Sequence, residues 1–203
     1  MKSTALFINF KNEARVKSIR RLEDILAGCI DGNETCREWI YRAYYGYARG
    51  VISRYTPDQE LTAELVNDSF VKVFKNVQAF VIPAEAEIIE KAFKGWLAKI
   101  ASRTVIDFLR IAKNHHQTEE ITELHMPESS VTVLETMNVR DILSLLEQLP
   151  QLQKVIFNMY EIEGFKHEEI ATVLNIPVKN SRVYLARAKE RLRLLYQEHI
   201  NKS

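Results

Sequence analysis

The stretch from Gly164 to Leu192 restricts the folding of this chain more than any other. Ile170, Ala171 and Leu174 fall on one face of a short helix. Asn175 stands where that helix has to stop, and Asn is the best non-glycine residue for a left-handed C-terminal position. Ile176 plugs the corner. Pro177 suits a helix start, where its missing N–H would be unbonded anyway. Val178, Ser181, Leu185, Ala188, Leu192 and Leu195 then form the inward stripe of a longer helix. Ser181 is the odd member, with a hydroxyl that needs a partner, most simply the carbonyl one turn back. Lys179, Asn180, Arg182, Ala186 and Arg187 lie off the stripe and are available to base edges and phosphates. This is the layout of a helix-turn-helix that offers its second helix to the major groove of duplex DNA. The bland alternative is a helical hairpin with a solvated basic face. The turn chemistry and the charge bias together disfavour it.

The charge of the whole chain does not announce a nucleic-acid partner, since 203 residues carry a net charge of only +1. The charge is segregated instead. From Lys91 to His116 the cations Lys91, Lys94, Lys99, Arg103, Arg110 and Lys113 face one anion, Asp107. From Lys179 to Arg193 the cations Lys179, Arg182, Arg187, Lys189, Arg191 and Arg193 face one anion, Glu190. Between them, Glu119, Glu120, Glu123, Glu128, Glu135 and Asp141 face one cation, Arg140. Two basic patches flanking an acidic connector suggest two nucleic-acid surfaces and a linker that avoids them or mimics their ligand. A near-neutral total also predicts weak DNA binding by the chain alone, because phosphate neutralisation supplies most non-specific affinity.

The length allows one domain or two small ones. Nearly every segment reads as helix, with no sustained two-residue alternation, so the expected fold class is all-α. Residues 1–12 are set aside as an N-terminal arm. A first helix is expected from Glu13 to Ala27, ended by Gly28 or by the Asp31-Gly32 turn. A second, rich in aromatics, is expected from Glu34 to Arg54. A third follows Thr56-Pro57-Asp58, where Thr56 or Asp58 can cap, and carries Leu61, Leu65, Val66, Phe70, Val73, Phe74 and Val77. Residues Val81 to Glu90 read as an irregular connection, and a fourth helix as running from Lys91 to Lys113. These form one domain over residues 13–114. Residues 115–137 have no sustained period and read as a flexible acidic linker. Residues 138–203 form the second domain. Its first stripe is Val139, Ile142, Leu143, Leu146 and Leu149, Pro150 starts its next helix, and the helix-turn-helix completes it.

Two further surfaces stand out. On the third helix Glu64, Asn67, Asp68 and Lys72 fall off the apolar stripe and form a polar band, suited to docking against a helix of complementary charge or simply solvated. On the fourth helix Lys94, Lys99, Arg103 and Arg110 share a surface with aromatic neighbours such as Trp96 and Phe93. Such a surface suits single-stranded DNA, although core packing is the better reading of each ring. Cys29 and Cys36 have no partner set that makes a zinc site, so a reduced state with packed, inert thiols is expected. No signal peptide and no bilayer-spanning apolar run is evident, which predicts a cytoplasmic protein without membrane insertion.

In order and spacing these segments resemble a bacterial sigma-70 family RNA polymerase sigma factor of group IV, the extracytoplasmic-function type. The resemblance covers about residues 20–198. Glu64-Leu65-Val66-Asn67-Asp68-Ser69-Phe70-Val71-Lys72-Val73-Phe74 is similar to the family's core-polymerase-binding helix. Phe93 to Ala101, continuing through Ile106-Asp107-Phe108-Leu109-Arg110, looks like its promoter-melting helix. Leu149 to Leu192 resembles its C-terminal domain. The resemblance implies that Glu64, Asn67, Asp68 and Lys72 meet core polymerase. It implies that Lys94, Trp96, Lys99, Arg103 and Arg110 meet the −10 element, and that Lys179, Asn180, Arg182, Ala186 and Arg187 meet the −35 element. The implied partners are core enzyme, promoter DNA and an anti-sigma factor, with no cofactor, metal, catalytic residue or small-molecule substrate. The segment from Phe80 to Ala92 matches a family loop that captures a flipped base and looks longer than usual. Arg103 stands where the family often has Asn, and Lys179 where it often has a small residue.

Two other functions compete. A stand-alone helix-turn-helix regulator would bind duplex tightly without polymerase, at a palindrome if dimeric. A helical enzyme would need an acid, base or metal constellation. The scattered histidines His115, His116, His125, His167 and His199 do not supply one.

Overall fold

The structure is a computed structural model that describes residues 21–113 and 144–200, and among these residues every regular element is helical. Helix α1 (Leu22–Ile30) runs through Gly28 and ends at the Asp31-Gly32 turn, where Gly32 takes φ +79°. Of the two expected stops, the Asp31-Gly32 turn is the one used and Gly28 is not, so the helix runs past Ala27; the expected start at Glu13 lies outside the described residues. Gly28 serves close approach, since a Cβ there would lie 2.5 Å from Cys36 Sγ on the next helix.

Helix α2 (Glu34–Ile52) starts at Asn33, whose side chain accepts from the Cys36 N–H at 3.2 Å. Helix α3 (Gln59–Asn76) starts at Asp58, whose carboxylate accepts from the N–H groups of Glu60 and Leu61 at 2.9 and 3.0 Å. That double cap contributes about 1 kcal/mol. A single 3₁₀ turn (Val77–Ala79) follows. Helix α4 (Ala86–Lys113) begins well before the expected Lys91. The apolar spacing of Phe93 and Leu97 extends back to buried Ile89, and Glu90 pairs with Lys94 one turn on at 2.6 Å. The irregular connection is correspondingly shorter than Val81 to Glu90.

The expected linker, residues 115–137, and the positions Val139, Ile142 and Leu143 of the next stripe lie outside the described residues. Leu145, Leu146 and Leu149 are buried. Helix α5 (Gln151–Phe157) follows Pro150, and the chain then winds through a π turn (Asn158–Ile162). Helices α6 (His167–Leu174) and α7 (Val178–Ile200) complete the chain.

The N-terminal core gathers Ile40, Ile52, Leu65, Val66, Phe70, Val73, Phe93 and Leu97. Tyr44 meets Phe93 edge-on at 4.9 Å between ring centroids. The C-terminal core gathers Leu146, Ile156, Met159, Ile170, Leu185, Ala188 and Leu192. The two apolar sets join in one continuous cluster, so the two helical units are packed together. Cys29 and Cys36 are buried and not joined in a disulfide, and burial, reinforced by Cys36, pushes the Cys29 thiol up to about 11.

Replacing an interior helical glycine by alanine ordinarily stabilises by about 1 kcal/mol. Gly28→Ala is expected to do the opposite, lowering stability by about 1–2 kcal/mol, because overpacking against buried Cys36 outweighs the helix propensity. Urea unfolding of Gly28→Ala, Cys36→Ala and the double variant checks this. In the Cys36→Ala background the same glycine change should become neutral or stabilising.

Candidate nucleic-acid interface

The helix-turn-helix has the expected backbone. Helix α6 ends at Leu174, Asn175 takes the left-handed conformation (φ 54°, ψ 50°), and α7 starts at Val178. The N–H of Ile176 closes the turn on the Ala171 carbonyl at 3.0 Å. Ser181, Leu185, Ala188, Leu192 and Leu195 are buried and Val178 is half-buried. Ser181, fully buried at 0% exposure, departs from expectation in its partner. Its hydroxyl lies 2.9 Å from His167 Nδ1 on α6 rather than bonding the carbonyl one turn back. The Ser181 backbone N–H already takes that Pro177 carbonyl, at 3.3 Å. His167 in turn stacks on Tyr160 at 4.4 Å between ring centroids. A His–Ser bond thus bridges the two helices in an otherwise apolar seam.

The outward face of α7 carries the expected set. Lys179, Arg182 and Ala186 are exposed, and Asn180 and Arg187 are half-buried. The Arg182 side chain is 63% exposed, with one guanidinium nitrogen 3.6 Å from Glu168. Arg187 lies over the Tyr184 ring at 6.0 Å. On α3, Glu64, Asn67 and Asp68 are exposed and Lys72 is half-buried. Asn67 accepts a hydrogen bond from the Tyr41 hydroxyl at 2.8 Å, which ties the polar band to α2.

The α4 set is divided. Lys94 reaches back to Glu90 and lies 5.9 Å from the centre of the Tyr47 ring on α2. Trp96 is half-buried between Phe80 and Phe93, with centroid distances of 5.4 and 5.9 Å, so its ring is largely a core element. Lys99 and Arg103 point the other way, toward the C-terminal unit. Of Arg110, only the helical backbone is described.

Several residues that sequence reasoning passed over meet Lys99 and Arg103 at the seam between the units. Lys99 Nζ lies 3.1 Å from both carboxylate oxygens of Glu169, and an Arg103 nitrogen lies 3.8 Å from one. The ring of Phe165 sits beneath both cations, 5.0 Å from Lys99 Nζ and 5.7 Å from the Arg103 guanidinium carbon. Glu169 also accepts from the Lys166 N–H at 2.9 Å and so caps α6. Desolvation pushes the Glu169 carboxyl up, but the Lys166 N–H, Lys99 and Arg103 outweigh it and hold it below the usual range. Deeper in the seam, buried Glu163 accepts from the hydroxyls of Tyr55 (2.6 Å) and Ser102 and from Arg54 (2.9 Å). Burial dominates there and pushes the Glu163 carboxyl up, against the lowering effect of those donors. The same burial, with Glu163 adding to it, pushes the Tyr55 hydroxyl well up. No local signal in the sequence separates Glu163 from Glu161 two positions before it.

Residues 40–114 match the family model described as Sigma-70 region 2, and residues 140–192 the one described as Sigma-70, region 4. The chain is similar to the ECF RNA polymerase sigma-E factor of Haemophilus influenzae, with 22% identity over 173 residues, spanning 78% of this chain and 86% of the relative. It is 23% identical to the factor of the same name from Escherichia coli K12, over 78% of this chain and 85% of that one. Among solved structures it resembles CnrH in complex with the cytosolic domain of CnrY, at TM-score 0.48 and 17% identity, covering 88% of this chain and 99% of that one. It also resembles RpoE in complex with the anti-sigma factor NepR from Bartonella quintana, at TM-score 0.47 and 16% identity, covering 79% and 96%.

The His167–Ser181 bridge makes the seat of α7 sensitive to acid. Burial, and then Arg182 and Lys189 against Glu168 and Glu161, holds the His167 imidazole below its ordinary value. The unfolded chain therefore takes up this proton first, so the contribution is complete above about pH 6.5 and is lost as pH falls through and below that value. Thermal melts between about pH 7.5 and pH 5 should show a smaller acid-induced fall in Tm for His167→Gln than for the parent chain.

Proposed function

This chain belongs to the sigma-70 family, in its extracytoplasmic-function group, and directs RNA polymerase to promoters; from that premise we propose how its surfaces divide the work. The outward face of α7, through Lys179, Asn180, Arg182, Ala186 and Arg187, reads the −35 element in the major groove. The basic face of α4, through Lys99, Arg103 and Arg110, holds the opened strand of the −10 element, with Lys94 and Trp96 nearer its start. The band of Glu64, Asn67, Asp68 and Lys72 on α3 docks on core enzyme. The observation that carries this reading is the helix-turn-helix geometry, with Arg182 exposed on the outer side of a helix whose inner side is buried from Ser181 to Leu195.

The factor supplies promoter selection, and core enzyme supplies the nucleotide chemistry, so the chain is not itself an enzyme. Its place of action is the cytoplasm, with the polymerase. No described helix is long and apolar enough to cross a membrane. An anti-sigma factor completes the partner set that this group implies.

Run-off transcription with purified core enzyme and a genomic promoter library tests the reading. A promoter-specific transcript that depends on the added chain is expected, and its absence from every template would defeat the proposal. Tight binding of the isolated chain to a palindromic duplex would instead favour a stand-alone regulator. Arg182→Ala or Arg187→Ala should weaken −35-dependent initiation by roughly 1–3 kcal/mol if the side chain makes a bidentate base contact. Asp68→Arg should weaken assembly with core enzyme, read by co-elution in gel filtration, and leave the circular-dichroism spectrum unchanged.

A further inference from the structure

We propose that the C-terminal unit occupies the single-strand surface of α4 with an imitation of a nucleotide, and that Glu163 latches it there. This inference rests on the reading of α4 as the strand-binding face. A surface that holds single-stranded DNA combines cations for the phosphates with contacts for the flat faces of the bases. Here Lys99 and Arg103 already have both kinds of partner. The Glu169 carboxylate stands where a phosphate would, within 3.1 Å of Lys99 and 3.8 Å of Arg103. The Phe165 ring, 2% exposed, stands where a base would, with both cations within cation–π range of its centre. Gly164 at φ +70° turns the chain out of the π turn, so that ring and carboxylate reach the same two side chains.

The latch lies behind this imitation. Glu163 brings a charge into a buried site and satisfies it with donors from Arg54 and Tyr55 in the turn after α2 and from Ser102 on α4. A buried charged network of this kind contributes little net stability, because desolvation offsets most of what the bonds return. It does define one closed register. The seam is also incompletely bonded: among the described residues, buried Arg54 Nε and Asn158 Oδ1 lack hydrogen-bond partners. Specific geometry with a small net free energy suits a contact that has to open. In the closed chain Glu169 and Phe165 engage Lys99 and Arg103, whose side chains keep 32% and 49% exposure, whereas Arg182 keeps 63% and Glu64, Asn67 and Asp68 are exposed. A strand therefore has to displace Glu169 from these cations in the free factor, and duplex reading and core docking meet no such competitor across the seam.

The test uses the full chain and a fluorescein-labelled, mixed-sequence single-stranded DNA. Glu169→Gln keeps an acceptor for the Lys166 N–H, so the α6 cap survives while the phosphate imitation is lost. Glu163→Gln keeps the size but removes the latch charge and puts an NH2 donor in place of one of the two acceptor oxygens. The double variant should show a larger radius of gyration by small-angle scattering and unchanged helix content. It should bind the labelled strand roughly tenfold more tightly if no more than about a tenth of the parent chain is open. Glu169→Gln alone should give part of that gain. A double variant with parental radius and parental affinity would overturn the latch. A double variant that expands without gaining affinity would overturn the imitation. Lys99→Ala/Arg103→Ala in run-off transcription separates the two levels. Normal promoter opening there would defeat the α4 reading itself. Lost opening, combined with no gain from the double variant, would defeat only the masking.

Discussion

A carboxylate shut away from water has to be answered by donors, and Glu163 is answered across the boundary between the two helical units. That requirement sets their relative position. Tyr55 and Arg54 lie just beyond α2 and Ser102 lies in mid-α4, so a single point on the C-terminal unit is fixed against two elements of the other. The π turn serves the same contact. Its extra residue per turn carries Asn158 into the seam, where its side-chain N–H donates to the Arg54 carbonyl at 3.3 Å, and it delivers Glu163 directly after. π turns are costly relative to regular helix and tend to persist where they place a particular group.

From this point of fixation the surfaces sort themselves. With α6 against α4, the recognition face of α7 is turned away from the seam. The acidic band of α3 lies on another side of the N-terminal unit. Of the three surfaces proposed to engage separate targets, the α4 cations Lys99 and Arg103 are the ones paired across the seam, and they keep 32% and 49% side-chain exposure. Lys99 and Arg103 are long side chains with flexible stems, so their heads are free to follow a carboxylate or a phosphate with little backbone change. Exchange of one anion for another at such a site is a competition between ligands of the same charge, in which DNA has the larger field and Glu169 the advantage of being tethered.

The sequence made the local elements legible and left the long-range ones hidden. The helix-turn-helix could be placed almost to the residue because its signals are local: Asn175 for a left-handed stop, Pro177 before a helix, and a 3.6-period stripe. Helix starts that depend on packing were less visible. The sequence places the beginning of α4 at Lys91 because Val81 to Glu90, around Pro83, mixes apolar and acidic residues, whereas burial of Ile89 recruits its last turn into the helix. Gly28 looked like a terminator and is instead the place where two helices touch. The partner of Ser181 was misjudged because His167 lies fourteen positions earlier in the chain and meets it only after the turn has formed. Glu163, Phe165 and Glu169 escaped notice for the same reason. Nothing in a one-dimensional pattern distinguishes a glutamate bound for solvent from one bound for a tyrosine more than a hundred residues away.

The near-neutral total charge takes on a different meaning in this light. A formal charge of +1 looks poor for a DNA-binding protein if the cations are counted as a uniform field. Four of the 27 acidic residues are instead placed against cations of the two basic stretches: Glu169 on Lys99 and Arg103, Glu168 near Arg182, Glu161 on Lys189, Glu190 on Arg193. Each pair that stays solvent-exposed has little net worth, and salt or a polyanion displaces it readily. Basic surfaces covered by weakly held internal anions have low affinity for arbitrary DNA, because every phosphate contact must first displace a carboxylate. They regain that affinity where a larger assembly supplies the displacement for another reason. In the proposed reading, weak binding in isolation and firm binding in the assembly both follow from one arrangement of charge, without any change in the residues assigned to DNA.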